Sequence, residues 1–157
     1  MAARAIIATL VVCAVTSSCG GTTGCRLTMS YGKKIVDPGG QSHVNLVFAN
    51  TGGSCKLSGF PAVELLGPGD PYVLPQQVVP GGHKTIGHGQ KARARLTWLP
   101  GNWPAERVRA RVGTARLTLR WPFGPVLRQD GATHPGTYIG PLKTTARSAG
   151  SAAEFHD

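Results

Sequence analysis

The sequence predicts an all-β fold, an antiparallel β-sandwich of about seven to nine short strands, for three reasons. Short segments alternate apolar and polar residues with a period of two. Glycine and proline, 22 and 12 of the 157 residues, separate these segments as turn residues. Outside the N-terminus, no segment shows helical periodicity or approaches the ~18 apolar residues of a membrane helix. A polytopic membrane protein is therefore excluded.

The expected strands follow one another along most of the chain. They are 27–31, 43–50, 62–66, 72–74, 78–79, 91–98, 107–112, 115–121 and 138–142. In segment 43–50, Val44, Leu46 and Phe48 point inward and His43 points outward. Segments 91–98, 107–112 and 115–121 repeat this habit, with apolar residues inward and arginines outward. Trp98 and Trp121 lie on inward positions and are expected in the core.

The N-terminus has the organisation of a secretory signal peptide over residues 1–18. Arg4 precedes the apolar run 5–15, and small polar residues lead to Cys19. Small residues directly before a cysteine resemble the lipobox of bacterial lipoproteins. That resemblance implies cleavage before Cys19, transfer of a diacylglyceryl group to its thiol and acylation of its amine, often with palmitate. Thr16 stands where that family has an aliphatic residue, and secretion without a lipid is the alternative.

Lipidation would place the domain on the extracytoplasmic face of the cell membrane. Two or more acyl chains hold a protein stably on a bilayer, at about 0.8 kcal/mol per buried CH₂. Residues 19–24 would form the tether, 25–142 the β-sandwich domain and 143–157 a small, polar, flexible tail. The five residues between Cys19 and Cys25 reach about 20 Å at most. The domain would therefore lie close to the lipid headgroups.

Four cysteines are present, and two of them remain for the mature domain. Cys13 would leave with the signal peptide, and Cys19 is the lipidation candidate. Cys25 and Cys55 in an exported chain favour a disulfide. A metal site is the alternative, but neither residue belongs to a CxxC pair or has a histidine at ligand spacing.

Two segments carry a family resemblance. They read CRLTMSYG at 25–32 and VNLVFANTGGSCKLSGFPAVELL at 44–66. Together with the late ARLTLRW strand, they resemble exported actinobacterial proteins that carry the domain of unknown function 4232, and we expect the resemblance to extend from Cys25 to about Leu142. It implies an immunoglobulin-like sandwich, often in lipoproteins, with Cys55 paired to Cys25. It implies no activity.

The charge is strongly positive, with 17 cations against 7 carboxylates and a formal charge of +10. Without Arg4 the charge is +9. Seven arginines on outward strand positions form a candidate surface for anionic ligands: Arg93, Arg95, Arg107, Arg109, Arg111, Arg116 and Arg120. Such a surface suits anionic lipid or a cell-wall polymer, and export argues against nucleic acid. The alternative is that these charges only keep outward positions polar and protect edge strands.

The sequence gives little support for catalysis or for metal binding. The seven carboxylates are scattered, and no GxSxG, HExxH or P-loop motif is present. His43, His83 and His88 could bind a transition metal, but their spacing does not preorganise a site. We therefore predict no enzyme, no cofactor and no metal. The expected function is a non-catalytic binding or interaction module at the cell envelope, whose partner could also be an envelope protein. A metal-binding module is the less favoured alternative.

Overall fold

A computed structural model describes residues 24–129 and 136–145, and this part of the chain is all β. No helix in it is long and apolar enough to cross a membrane. Its thirteen strands are β1 (Leu27–Tyr31), β2 (Ile35–Val36), β3 (Ser42–Asn50), β4 (Cys55–Leu57), β5 (Ala62–Leu66), β6 (Tyr72–Val73), β7 (Lys84–Ile86), β8 (Lys91–Trp98), β9 (Pro100–Trp103), β10 (Arg107–Val112), β11 (Ala115–Arg120), β12 (Tyr138–Ile139) and β13 (Lys143–Thr144). Seven of these have four or more residues.

The first sheet has the strand order β1-β3-β8-β12, with β2 also paired to β3 and β13 to β8. Its central ladder joins β3 and β8 over eight antiparallel pairs, from Ser42↔Trp98 to Ala49↔Lys91. Because successive side chains point to opposite faces of a sheet, this register puts Leu46 beside Ala94 on the inner face. The same register puts Asn45 beside Arg95 on the outer face.

The second sheet has the order β11-β10-β5-β6, and all its ladders are antiparallel. The turn between β10 and β11 uses Gly113 at φ 58°, a left-handed conformation that glycine adopts without strain. A separate short ladder joins β4 to β7. Together the two larger sheets form the β-sandwich that the sequence predicted.

The core lies between the two sheets and consists of the alternating residues of both. The expected inward residues of β3, β8 and β10 are all buried: Val44, Leu46, Phe48, Ala92, Ala94, Leu96, Trp98, Val108, Ala110 and Val112. Trp98 and Trp121 are also buried and meet edge to face, with ring centroids 5.0 Å apart. Edge-to-face pairs of this kind contribute about 0.5–1.5 kcal/mol beyond the area that they bury.

The buried side chain of Asn50 organises the corner after β3. Its Oδ1 accepts hydrogen bonds from the backbone N–H groups of Gly52 and Arg26, at 2.9 and 3.4 Å. Its Nδ2 donates to the carbonyls of Gly53 and Ile86. A Cβ at Gly52 would lie 2.2 Å from the Gly24 carbonyl oxygen, so only glycine fits there. The Asn-Thr-Gly-Gly sequence thereby holds β1, β3 and β7 together.

The Cys25–Cys55 disulfide closes the same corner, as the family resemblance implied. The two Cα atoms are 4.8 Å apart, and the bridge spans 30 positions of the chain. Cys55 is fully buried, whereas Cys25 is exposed beside the N-terminal end of the described chain.

His43 and Thr97 differ from the expectation for outward positions. Both are buried, at 8% and 2% exposure. They are direct partners in the ladder of β3 and β8, and Ile35 of β2 and Tyr138 of β12 extend the same row on either side. The two outer residues of this four-strand row cover His43 and Thr97 at its centre. The alternation of residues along one strand does not reveal such neighbours.

Segment 78–79 was expected to form a strand and does not. It lies between Pro75 and Pro80, which lack the N–H that a ladder requires, and Val78 is 96% exposed. The expected last strand 138–142 is instead the two-residue strand β12, followed by a break. β13 then pairs with β8 beyond Leu142, where we expected the domain to end.

Candidate functional site

Five of the seven predicted arginines lie together on the outer face of the second sheet. β10 alternates exposed arginines with buried Val108, Ala110 and Val112, and β11 continues the pattern with exposed arginines and half-buried leucines. This surface, called the arginine face below, consists of Arg107, Arg109, Arg111, Arg116 and Arg120. The other two, Arg93 and Arg95, belong to β8 of the first sheet and are exposed on its outer side. The prediction from the sequence therefore grouped seven arginines that the fold divides between the outer faces of two sheets.

The arginine face is built of three cross-strand rows. In the first row, Arg107 has Arg120 on one side and Leu66 on the other. In the last row, Arg111 lies between Arg116 and Ala62. The middle row, which continues onto β6, contains Val73, Glu64, Arg109 and Thr118.

The first and last rows each place two like charges directly opposite each other. Such pairs destabilise a sheet, because their Cβ atoms are only about 4.5–5.5 Å apart. Within residues 24–129 and 136–145, none of Arg107, Arg111, Arg116 and Arg120 forms an ion pair. Glu106 precedes Arg107 in the sequence and is exposed, but it pairs with none of the described cations. Each of these two rows therefore keeps two guanidinium groups without an ion pair, although the last row lies within the electrostatic field of Glu64.

The middle row is different because Glu64 neutralises Arg109. The Arg109 Nε donates a hydrogen bond to Glu64 Oε1 over 2.7 Å. That hydrogen bond lowers the pKa of Glu64 below its ordinary value, against a smaller opposing effect of burial. The positive charges of Arg109, Arg111 and Arg116 lower the pKa further.

A shallow depression of about 330 Å³ opens between the last and middle rows. Its lining combines guanidinium groups and one carboxylate with the apolar side chains of Ala62 and Val73 and with strand backbone. The lining residues are Ala62, Val63, Glu64, Val73, Arg109, Ala110, Arg111 and Arg116. The depression can hold a small uncharged group next to two cations.

The last row lies at the same end of the sandwich as the disulfide. A Cβ on Gly113, in the turn that follows β10, would lie 3.6 Å from the carbonyl oxygen of Lys56. Lys56 directly follows the disulfide-bonded Cys55. The last row therefore lies nearest to the end at which the N-terminal segment enters the domain, and the middle and first rows lie progressively farther from it.

The remaining predicted site residues lie elsewhere. Cys19 is outside the described residues. His83 is exposed, and the Nδ1 of His88 lies 3.0 Å from the Gly52 carbonyl oxygen. His43 was expected to face outward, but it is buried with its Nδ1 3.3 Å from Asp37 Oδ2. No group of three histidine, cysteine, aspartate or glutamate side chains suited to a metal occurs in the described part of the chain.

Glu64 is the site residue that sequence reasoning did not single out. Its outward position follows from the alternation of the AVELL segment, in which Val63 and Leu65 are buried. Its meeting with Arg109 depends on the pairing of β5 with β10, which are 45 positions apart in the sequence. The one sequence signal was that Glu64 is an isolated carboxylate on an outward strand position.

The protein is an antiparallel β-sandwich in which the outer face of the second sheet is strongly basic. The family model described as Domain of unknown function (DUF4232) matches residues 22–122, and the chain belongs to that family. The match ends at Pro122, short of Leu142, to which we expected the resemblance to extend. The comparisons with curated proteins and with solved structures found no match.

Proposed function

We propose that this protein is a non-catalytic binding module of the cell envelope that holds an anionic polymer on its arginine face. The two unneutralised cross-strand arginine pairs are the observation that supports this proposal. Like charges opposite each other weaken a sheet, and an oxyanion bound between them removes the repulsion. Arginine suits such a ligand because its planar fork matches phosphate and carboxylate groups.

The proposal includes export and a lipid anchor at Cys19. The signal peptide and the small residues before Cys19 support it. A tether that enters at the disulfide end would place the last row of arginines nearest the membrane. The rows would then extend outward from the bilayer, so the arginine face would point sideways, toward a polymer that runs past the domain. This geometry favours a polymer over the flat surface of the membrane itself.

Binding to long-chain polyphosphate tests the role of the arginine face. One variant replaces the five arginines of the face with glutamine. A matched control replaces five exposed cations away from this face with glutamine: Lys33, Lys91, Arg93, Arg95 and Lys143. We expect the first variant to lose at least about tenfold in affinity and the control to lose much less, although both change the net charge equally.

Two results would overturn this part of the proposal. Equal losses in both variants would show that net charge alone attracts the polymer. Tighter binding to phosphatidylglycerol vesicles than to polyphosphate, lost in the five-glutamine variant, would show that the face binds a lipid surface. Thermal unfolding of both variants checks that each is folded.

Mass spectrometry of the mature N-terminus tests the anchor. We expect a chain that begins at Cys19 and carries acyl groups, and a Cys19→Ala variant that is neither lipidated nor held in the membrane fraction. An N-terminus elsewhere, or an unmodified Cys19, would contradict the anchor and favour a secreted, partner-binding domain.

A further inference from the structure

The arginine face is not a uniform positive surface, because its middle row carries a carboxylate. The first and last rows each have two unpaired guanidinium groups. Between them, the ion pair of Glu64 and Arg109 leaves no net charge. An oxyanion placed over the middle row would meet the Glu64 carboxylate and an arginine that is already engaged. The favourable positions for oxyanions are therefore the first and last rows, called the two outer rows below.

The separation of these two rows follows from strand geometry. Arg107 and Arg111 are four residues apart on β10 and point to the same side. At about 3.3–3.4 Å per residue, their rows are about 13 Å apart, and one step of the ladder is about 6–7 Å. Within each row the two arginines are close enough to contact a single oxyanion together.

The surface between the two outer rows suits an uncharged linker. The depression beside the last row extends over the middle row, and the exposed side chains of Ala62 and Val73 supply the apolar part of its lining. Val73 is 70% exposed and offers apolar surface next to Glu64. An uncharged segment that crosses this surface brings no further charge onto the middle row, where Glu64 and Arg109 already neutralise each other.

We propose that the arginine face contains two distinct phosphate sites, Arg107 with Arg120 and Arg111 with Arg116, about 13 Å apart. Glu64 keeps phosphates out of the row between them. The preferred ligand is a phosphate polymer in which phosphates about 13 Å apart can occupy both sites while an uncharged segment crosses the middle row. This inference rests on the proposed function and specifies the ligand of the same face.

A pair of α,ω-bisphosphonates tests the spacing directly. In one the phosphonates are about 13 Å apart, and in the other they are one ladder step of about 6–7 Å apart. We expect the native protein to bind the long probe at least about tenfold more tightly, because only this probe occupies both sites at once. Replacing one row (Arg111→Gln with Arg116→Gln) should abolish the preference, since one site then remains.

The Glu64→Gln variant tests the part assigned to the middle row. Removing the carboxylate frees Arg109 and should make the short probe bind several-fold more tightly, so that the preference for the long probe narrows. Glu106→Gln is the matched control, because it removes the same charge outside the three rows. This control should leave the preference unchanged.

The outcomes separate this inference from the proposed function. If the protein binds polyphosphate through the arginine face but shows no preference between the two probes, the two-site inference is wrong and the proposed function stands. An unchanged preference in Glu64→Gln would overturn the role of the middle row. If neither probe nor polyphosphate binds, the proposed function itself fails.

Discussion

Arg109 on β10 donates a hydrogen bond of 2.7 Å to Glu64 on β5, and this is the one ion pair of the arginine face within residues 24–129 and 136–145. A surface ion pair contributes little to stability by itself. Its larger consequence is the charge pattern of the arginine face. The ion pair neutralises the middle row and leaves two arginines in the first row and two in the last.

The pH dependence of stability should report this ion pair. The pKa of Glu64 in the folded protein lies below its ordinary value of 4.5, mainly through the hydrogen bond from Arg109. A carboxylate with a lowered folded pKa contributes stability above the unfolded pKa, and this contribution is lost as the pH falls through the folded value. Urea unfolding at stepped pH should show a smaller loss below pH 4.5 for Glu64→Gln than for the native protein. Identical pH profiles for the two proteins would contradict the ion pair.

Relieving one arginine pair should stabilise the protein while weakening polymer binding. In Arg116→Thr the like-charge repulsion with Arg111 disappears, and threonine is favourable in a strand. We expect the free energy of unfolding to rise by up to about 1 kcal/mol and the affinity for polyphosphate to fall. Arg95→Thr is the control, because Arg95 lies opposite Asn45 on the other sheet and should change neither quantity appreciably. A destabilised Arg116→Thr would show that the pair is not repulsive.

Removing the disulfide should cost considerable stability. For a bridge that spans 30 positions, the loss of loop-closure entropy in the unfolded chain corresponds to about 3.5 kcal/mol. Chemical denaturation of the Cys25→Ala, Cys55→Ala double variant measures this difference. Adding reductant to the native protein should lower its stability toward that of the variant and leave the variant unchanged. A loss well under about 1 kcal/mol would show that the bridge adds little to this corner.

Asn50 should be among the most sensitive polar residues of the domain. Asn50→Ala removes hydrogen bonds to four backbone groups and leaves buried N–H and C=O groups without partners. We expect a loss of about 2–4 kcal/mol in the free energy of unfolding. Asn45→Ala on the same strand is the matched control, because Asn45 is half-buried on the outer face, and its loss should be within about 0.5 kcal/mol. Equal losses at the two positions would contradict the role given to Asn50.

The all-β class, the course of the long strands and the inward residues of β3, β8 and β10 could all be predicted from the amino-acid sequence. These properties are local, since alternation with period two and turn residues decide them within a few positions. Export and the lipid anchor at Cys19 rest on the sequence alone and remain predictions. The strand predicted at segment 78–79 is wrong, because the prolines on either side outweigh the strand preference of valine.

Which charged residues share a surface depends on the tertiary structure. Strand order separated Arg93 and Arg95 from the other five arginines, and strand register placed Glu64 opposite Arg109. Neighbouring strands likewise buried His43 and Thr97 on a face where alternation predicts exposure. All of these differences have one cause. Alternation settles to which side of its own strand a side chain points, whereas pairing between distant segments decides which side chains lie beside it.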